Sequence, residues 1–333
     1  MKRHFLSPLD LSPQERQQVL RRAAELKKLP RSMDRNRLRA GALFFNPSLR
    51  TRISFEQASQ LIGGTCQTLN AGADLWKMEM EPSATMDKDS VECVAEAARV
   101  MGRMFHLLGI RAFSTGGPWE VEKTEPVLKA FSEYSGTSII SLEGAMHHPC
   151  QGLADELTML EHSDWNLKGR KVVLSWAWHP KHLPMAVPNT YALQSALAGA
   201  NLVIARPESY DLDPELMAQI ETAANENGGS VSTTADQSAA VENAAFIYTK
   251  SWGTMLNSNP APENLKSWTT NHALWEKSNG AKIMHCLPVR RNIEISSDLL
   301  DSEHSIVSDE AENRLWAQAA LIEFMAKENG IVL

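Results

Sequence analysis

A chain of 333 residues, 43% of them hydrophobic and 22% charged, has the length for two ordinary domains with buried cores and the composition of a globular protein. A formal net charge of −7 supplies no basic field for nucleic acid, and no apolar run approaches the roughly 18 residues of a membrane span. Met1-Lys2-Arg3-His4-Phe5-Leu6 turns polar too soon for a signal-peptide core, and Cys66, Cys93, Cys150 and Cys286 form no C-x-x-C pair; the thiols read as reduced and the expected location is the cytoplasm.

In chain order, Leu11-Ser12-Pro13-Gln14-Glu15 predicts a helix start, with Ser at the cap, Pro in the first turn and Glu at the third position, and the pattern runs to about Lys28. The apolar run Ala42 to Phe45 stops at Asn46-Pro47, and a helical pattern begins at once and reaches about Ile62. Ser48 stands at the N-cap position, with Arg50 and Thr51 in the first turn. Free backbone N–H groups, the positive end of the helix dipole, hydroxyls and guanidiniums then converge on one point, which is the chemistry of a phosphate pocket. A capped helix with two surface arginines is the plainer alternative.

A strand near Gln67–Leu69 and a polar loop follow, then a helix from about Ser90 to Met104, a strand His106–Phe113, a helix of about Glu120–Tyr134 and a strand Ser138–Leu142. Past Gln151 the alternation repeats: a helix Gly152–His162, a strand Lys171–Trp178, a Pro-rich turn from His179 to Asn189, a helix, a strand Leu202–Ala205, a helix opening at Asp213, strands near Ser230–Thr233 and Phe246–Thr249, a strand Lys282–Leu287 and a closing helix of about Glu310–Lys327. Alternation of this kind predicts α/β architecture in two doubly wound parallel-sheet domains.

Neither G-x-G-x-x-G nor G-x-x-x-x-G-K-[ST] occurs, so the two commonest nucleotide loops are missing. Polar residues gather instead at strand ends, where open α/β sheets place ligands: Arg111, then Glu143, His147, His148 and Gln151, then Lys250, then Cys286. Each alone also reads as an ordinary loop or packing residue. His179 and His182 with His147, His148 and Cys150 match no zinc-ligand spacing, and no G-x-S-x-G elbow is present, so neither a metal site nor a serine hydrolase is expected.

Three motifs, Ser48-Leu49-Arg50-Thr51-Arg52, His148-Pro149-Cys150-Gln151 and His285-Cys286-Leu287-Pro288, closely resemble the signatures of the transcarbamylases in order and spacing. The resemblance covers nearly the whole chain. It implies a carbamoyl-phosphate domain (1–147 with the C-terminal helix 310–333) joined to an amino-acid domain (148–309), in a homotrimer. Carried over position by position, it implies that Ser48, Leu49, Arg50 and Thr51 hold the phosphate of carbamoyl phosphate. Arg111, His148 and Gln151 would hold the carbamoyl end, Cys286 and Leu287 would flank the reacting amine, and Arg314 would complete the pocket. Trp76 resembles the residue that enters a neighbouring subunit's site. Arg50, Thr51, Arg111, His148 and Cys286 are the candidate catalytic residues, and no metal or organic cofactor is implied.

The acceptor amine is read from departures. His285-Cys286-Leu287-Pro288 resembles the ornithine branch, yet Lys250 stands where ornithine enzymes carry an aspartate for the α-ammonium. A cation there repels a free α-ammonium and suits a carboxylate or acyl oxygen, so the α-amine should be blocked. The N-acylornithine subgroup is therefore implied, with Glu143, His179, Lys250, Leu287, Arg290 and Val91 as acceptor residues and with a knot in the Pro-rich turn. Val91 lies where the acetyl enzymes have a glutamate, and its neutrality favours N-succinylornithine. N-acetylornithine is the alternative, since Glu92 is adjacent, and a non-catalytic ligand-binding relative is a third reading.

Overall fold

A computed structural model describes residues 3–28, 38–113, 117–257 and 259–331. The chain divides into two compact units, Met1–Cys150 with Arg314–Leu333, and Gln151–Asn313. All strand pairs within both units are parallel.

The first unit begins with helix α1 (Pro13–Lys28) and is built on strands β1 (Arg39–Phe44), β2 (Thr65–Asn70), the short β3 (Met78–Glu79) and β4 (Glu92–Cys93), β5 (Leu107–Arg111) and β6 (Ser138–Glu143). Its helices are α2 (Arg50–Leu61), α3 (Val94–Met104), α4 (Trp119–Glu122) and α5 (Pro126–Tyr134). The main sheet runs β2-β1-β5-β6. Leu43, Leu108, Ile110 and Ile139 from its strands pack with Val94, Ala98, Leu128 and Phe131 from α3 and α5, as expected of strands covered on their faces by helices. The chain leaves β1 in one direction, to β2, and later returns on the other side as β5. The carboxyl ends of β1 and β5 therefore frame the switch point, where such sheets bind ligands.

The second unit takes in α6 (Pro149–Glu161) from Gln151 onward, then β7 (Lys171–Trp176), α7 (Ala186–Leu197), β8 (Asn201–Ala205), α8 (Pro214–Asn227), β9 (Ser230–Thr234), α9 (Gln237–Val241), β10 (Phe246–Lys250), α10 (His272–Glu276), β11 (Lys282–Met284) and α11 (Ser297–Leu300). Helix α12 (Val307–Glu328) begins in the second unit and continues into the first at Arg314. The sheet order β11-β10-β7-β8-β9 puts a second switch point between β7 and β10. The segment between β7 and α7 is clasped by residues 253–254: Gly253 N–H donates to Leu183 O at 2.9 Å, and His182 Nε2 lies 3.3 Å from Thr254 O. A Cβ on Gly253 would lie 1.9 Å from His182 Nε2, so any larger residue there would displace the His182 ring.

Several boundaries differ from the sequence expectation for identifiable reasons. The helix predicted over about Glu120–Tyr134 is two helices, α4 and α5, because Pro126 excludes helical continuation and Glu125 turns into the left-handed region at φ 55°. The strand predicted over Lys282–Leu287 stops at Met284, because His285 turns back to accept the Leu287 N–H on its ring at 2.9 Å. Helix α6 starts at Pro149, three residues earlier than predicted, with proline in the first helical position.

Candidate active site

In the first unit the loop after β1 ends at Ser48, whose Oγ accepts the N–H of Thr51 at 3.2 Å. Leu49 is already helical at φ −79°, ψ −60°, so Ser48 is the residue that caps α2, three positions before the N–H it satisfies. Thr51 is buried, and its Oγ1 accepts from Arg314 Nη2 at 2.6 Å and from Arg111 Nη1 at 3.5 Å. With both contacts spent on its lone pairs, the Thr51 hydroxyl hydrogen is directed elsewhere as a donor. Two guanidiniums thus meet at the first turn of a capped helix, a convergent set of donors suited to a dianionic group.

Arg111 ends β5. The ladder with β6 pairs Ile110 with Ser141 but Arg111 with Glu143, so one residue of β6 is bulged out at this point. The bulge turns Glu143 onto the face of Arg111, and the two form a mostly buried ion pair. His148 Nε2 lies 3.6 Å from the same carboxylate oxygen. Burial, and then the positive charges of Arg314 and Arg111, hold the His148 pKa well below the ordinary imidazole value, so the ring is neutral. A neutral imidazole and a guanidinium can both donate to a carbonyl oxygen without bringing a proton of their own into play.

The Gly144–His147 loop that leads to His148 has an anchor that sequence inspection missed. The Glu125 carboxylate accepts the N–H groups of Ala145 at 2.9 Å and Met146 at 2.7 Å. It also lies where a Cβ on Gly144 would come within 2.3 Å of its oxygens, so a side chain at 144 would push the carboxylate off these N–H groups. Burial pushes the Glu125 carboxyl up to about 7, against the pull of the Ala145, Met146 and His147 N–H groups, and Glu122 adds to the rise. A folded pKa above the unfolded value of 4.5 means that the folded chain holds this proton more tightly. Stability from this group is therefore present at low pH and is lost as pH rises from about 4.5 to about 7. Glu125→Gln should remove that slope: melting curves between about pH 5 and 8 should show the wild type losing ground to the variant as pH rises. Parallel curves for the two proteins would rule the effect out.

In the second unit Gln151, one turn before Asp155 on α6, is buried with its amide nitrogen on two carboxyl groups: Nε2 donates to Asp155 Oδ1 at 2.8 Å and to Glu310 Oε1 at 3.0 Å. Cys286 and Leu287 follow β11 in the turn made by His285, and Leu287 is held in the left-handed region at φ 54°. Strained backbone of this kind in a non-glycine residue marks a position fixed by its surroundings. Lys250 ends β10. Near it, Arg290 Nε donates to His179 Nε2 at 2.9 Å, and His179 Nδ1 lies 3.0 Å from Lys181 O and 3.1 Å from Lys181 N. His179 is held below the ordinary imidazole range first by burial and then by Arg290 and Lys250, so it too is neutral.

Glu294, a further residue that the motifs did not reveal, ties this cluster together. It accepts the Arg290 N–H at 2.9 Å and faces His285 Nε2 at 3.4 Å. Burial alone would raise its carboxyl, but the hydrogen bond from His285, the charge of Lys250 and the Arg290 N–H hold it at about 2. The result is one fixed buried anion beneath two cations, Lys250 and Arg290, and a neutral imidazole. Among the described residues no group of three or more His, Cys, Asp and Glu side chains is placed to hold a metal ion.

Trp76 and Val91, the remaining candidates, lie on the β3–β4 segment. Val91 N–H donates to Lys77 O at 3.2 Å, which brings the two stretches together. The two residues are 71% and 63% exposed, respectively.

Comparison with known proteins identifies the architecture. Residues 3–161 match the family model of the aspartate/ornithine carbamoyltransferase carbamoyl-P binding domain, and residues 185–325 match that of the Asp/Orn binding domain. The chain belongs to the aspartate/ornithine carbamoyltransferase family. This carbamoyltransferase is 35% identical over 337 residues to an N-acetylornithine carbamoyltransferase of Xanthomonas axonopodis pv. citri, covering 99% of this chain and 98% of the relative. It is 36% identical over 274 residues to an N-succinylornithine carbamoyltransferase of Bacteroides thetaiotaomicron, covering 82% of each. A crystal structure of N-acetyl-L-ornithine transcarbamylase superimposes with a TM-score of 0.91 at 35% identity, covering 99% of both chains. These relatives put the chain in the N-acylornithine branch of the family.

Proposed function

We propose that this enzyme transfers the carbamoyl group of carbamoyl phosphate to the side-chain amine of N2-succinyl-L-ornithine, giving N-succinylcitrulline and phosphate, as a step of arginine biosynthesis. Ser48, Leu49, Arg50, Thr51 and Arg314 hold the phosphate, and Arg111 and His148 donate to the carbamoyl oxygen. The unprotonated side-chain amine attacks the carbonyl carbon, forming a C–N bond. Negative charge builds on the carbonyl oxygen, where removing one aimed donor typically costs about 2.7–4 kcal/mol of barrier. The bond from the carbonyl carbon to the bridging oxygen then breaks, phosphate leaves with the electron pair, and the proton lost by the attacking nitrogen passes to the departing phosphate. Holding the two reactants in register contributes about 7–11 kcal/mol more.

The observation that carries the acceptor assignment is the cationic end of β10. Lys250, backed by Arg290 and by neutral His179, suits acyl and carboxylate oxygens and repels a free α-ammonium. Support for succinyl comes from Val91. Solved variants of N-acetyl-L-ornithine transcarbamylase, in which one glutamate is replaced by proline or valine, are complexed with carbamyl phosphate and N-succinyl-L-norvaline; both have TM-scores of 0.92 to this chain. A neutral residue at the equivalent place admits the second carboxylate that a glutamate would repel. The exposure of Trp76 and Val91 on one segment supports a homotrimer in which this segment enters a neighbouring subunit's site. N-acetylornithine is the second reading, favoured by Glu92, a carboxylate one position from Val91 on β4.

Val91→Glu tests the choice. The wild type should have the higher kcat/KM on N-succinylornithine, and the variant should reverse the preference by about 10- to 100-fold in the ratio, the effect of one unfavourable charge contact of about 1.4–2.8 kcal/mol. An unchanged ratio would show that Val91 does not line the acyl pocket.

A further inference from the structure

Two carboxyl groups lie side by side inside the second unit, Asp155 on α6 and Glu310 in the first turn of α12, and neither belongs to the signature motifs that hold substrate. They are 1% and 0% exposed, and Gln151 between them is 1% exposed. Gln151 Nε2 donates one hydrogen to Asp155 Oδ1 at 2.8 Å and one to Glu310 Oε1 at 3.0 Å. A primary amide nitrogen carries two hydrogens, so both are committed. Turning the amide over would set its oxygen against two carboxyl oxygens. The second oxygen of Glu310 is also committed, since it accepts the His285 N–H at 2.9 Å. Burial first, and Asp155 second, push the Glu310 carboxyl well above its ordinary pKa, and Glu310 also hydrogen-bonds Asp155. Every contact on this side fixes the Gln151 amide in one orientation, and its Oε1 is left buried with no hydrogen-bond partner among the described residues. A buried acceptor held in this way is matched to an N–H donor on a ligand.

We propose that Asp155 and Glu310 are positioning residues for carbamoyl transfer, locking the Gln151 amide so that its Oε1 accepts a hydrogen bond from the amino group of the carbamoyl moiety. The proposal rests on the carbamoyl-phosphate reading given above and extends it to residues that do not themselves touch the substrate. It also gives the site a chemical test for its donor. A carbamoyl group offers N–H at the position where an acetyl group of the same shape offers only methyl hydrogens, and a fixed carbonyl oxygen distinguishes the two.

Two substitutions of equal size and equal loss of charge separate this role from a general structural one. Glu310→Gln keeps a single oxygen. Held by the fixed His285 N–H, it leaves the new NH2 facing Gln151, whose amide must turn over and present hydrogens to the carbamoyl amino group. Asp155→Asn keeps its carbonyl for the Gln151 hydrogen, and its NH2 can donate to Glu310. In the full-length enzyme, with carbamoyl phosphate varied at saturating acylornithine, Glu310→Gln should lower kcat/KM for carbamoyl phosphate by about 10- to 100-fold. Asp155→Asn should stay within about threefold of wild type, and the Ki of inorganic phosphate should stay within about twofold in both, since phosphate lacks the group that Gln151 reads. If Glu310→Gln does not fold, Asp155→Leu against Asp155→Asn makes the same comparison, with loss expected only for leucine. Equal activities in the two isosteric variants, or a phosphate Ki that rises in step with the loss, would overturn the proposal. A wild type that transfers no carbamoyl group would instead overturn the underlying reading, a separate result seen before any variant is compared.

Discussion

Arg111→Met is expected to lower kcat/KM by about 10²–10³-fold and to destabilise the fold by about 3–5 kcal/mol. The two losses have different origins. Arg111 and Glu143 form a mostly buried ion pair, so removing the guanidinium leaves a carboxylate in a poorly solvated place with no counter-charge. The catalytic loss comes from the missing donor at the carbonyl oxygen and beside the Thr51 hydroxyl. Removing both partners at once distinguishes them. In Arg111→Met/Glu143→Leu the uncompensated charge is gone, so most of the stability should return in denaturant titrations while kcat/KM stays low. A double variant that recovers activity along with stability would show that Arg111 acts only through the pair.

Lys250→Asp is the second large effect. Exchanging a cation for an anion at the end of β10 changes the sign of the interaction with whatever occupies the α-position of the acceptor. At 4 Å and an effective dielectric near 20, one charge contact is worth about 4 kcal/mol, close to a thousandfold. Carbamoylation of N-succinylornithine should therefore fall by about 10³-fold, and free ornithine should gain relative to it. The fold should lose some stability as well, because the charge of Lys250 helps hold the buried Glu294 carboxyl at about 2, so the two acceptors are compared on the same folded variant. A variant that loses both acceptors to the same extent would place Lys250 outside acceptor recognition.

How far the sequence could be read depends on whether the controlling contact is local. Ser48 caps α2 through a bond to Thr51 three residues on, and such spacing is visible in a string of letters. The strand-end positions of Arg111, Glu143 and Lys250 were visible for the same reason, since alternation of strands and helices fixes where strands finish. The bulge that turns Glu143 onto Arg111 was not visible, because it depends on register between β5 and β6 and not on either strand alone. Glu125 was read as the middle of one helix, yet its carboxylate anchors the loop twenty residues later. Asp155 could have been found, since it stands one helical turn after Gln151 on the same face. Glu310 could not, because its partners His285 and Gln151 come from distant positions and only folding brings them together; Glu294 is four residues from Arg290 and nine from His285, but no regular element spans them to show that its carboxylate meets both. Local rules reach the capped first turn of α2, and long-range packing brings Arg111 and Arg314 onto Thr51 there.

Everything inferred for the acceptor side rests on an ornithine whose α-amine is blocked. The most direct measurement is kcat/KM of the wild-type enzyme for N-succinylornithine, N-acetylornithine and free ornithine at saturating carbamoyl phosphate, read as ureido product. Both acylornithines should exceed free ornithine by about 10²-fold or more, with N-succinylornithine first. Free ornithine carbamoylated as well as either acylornithine would contradict it.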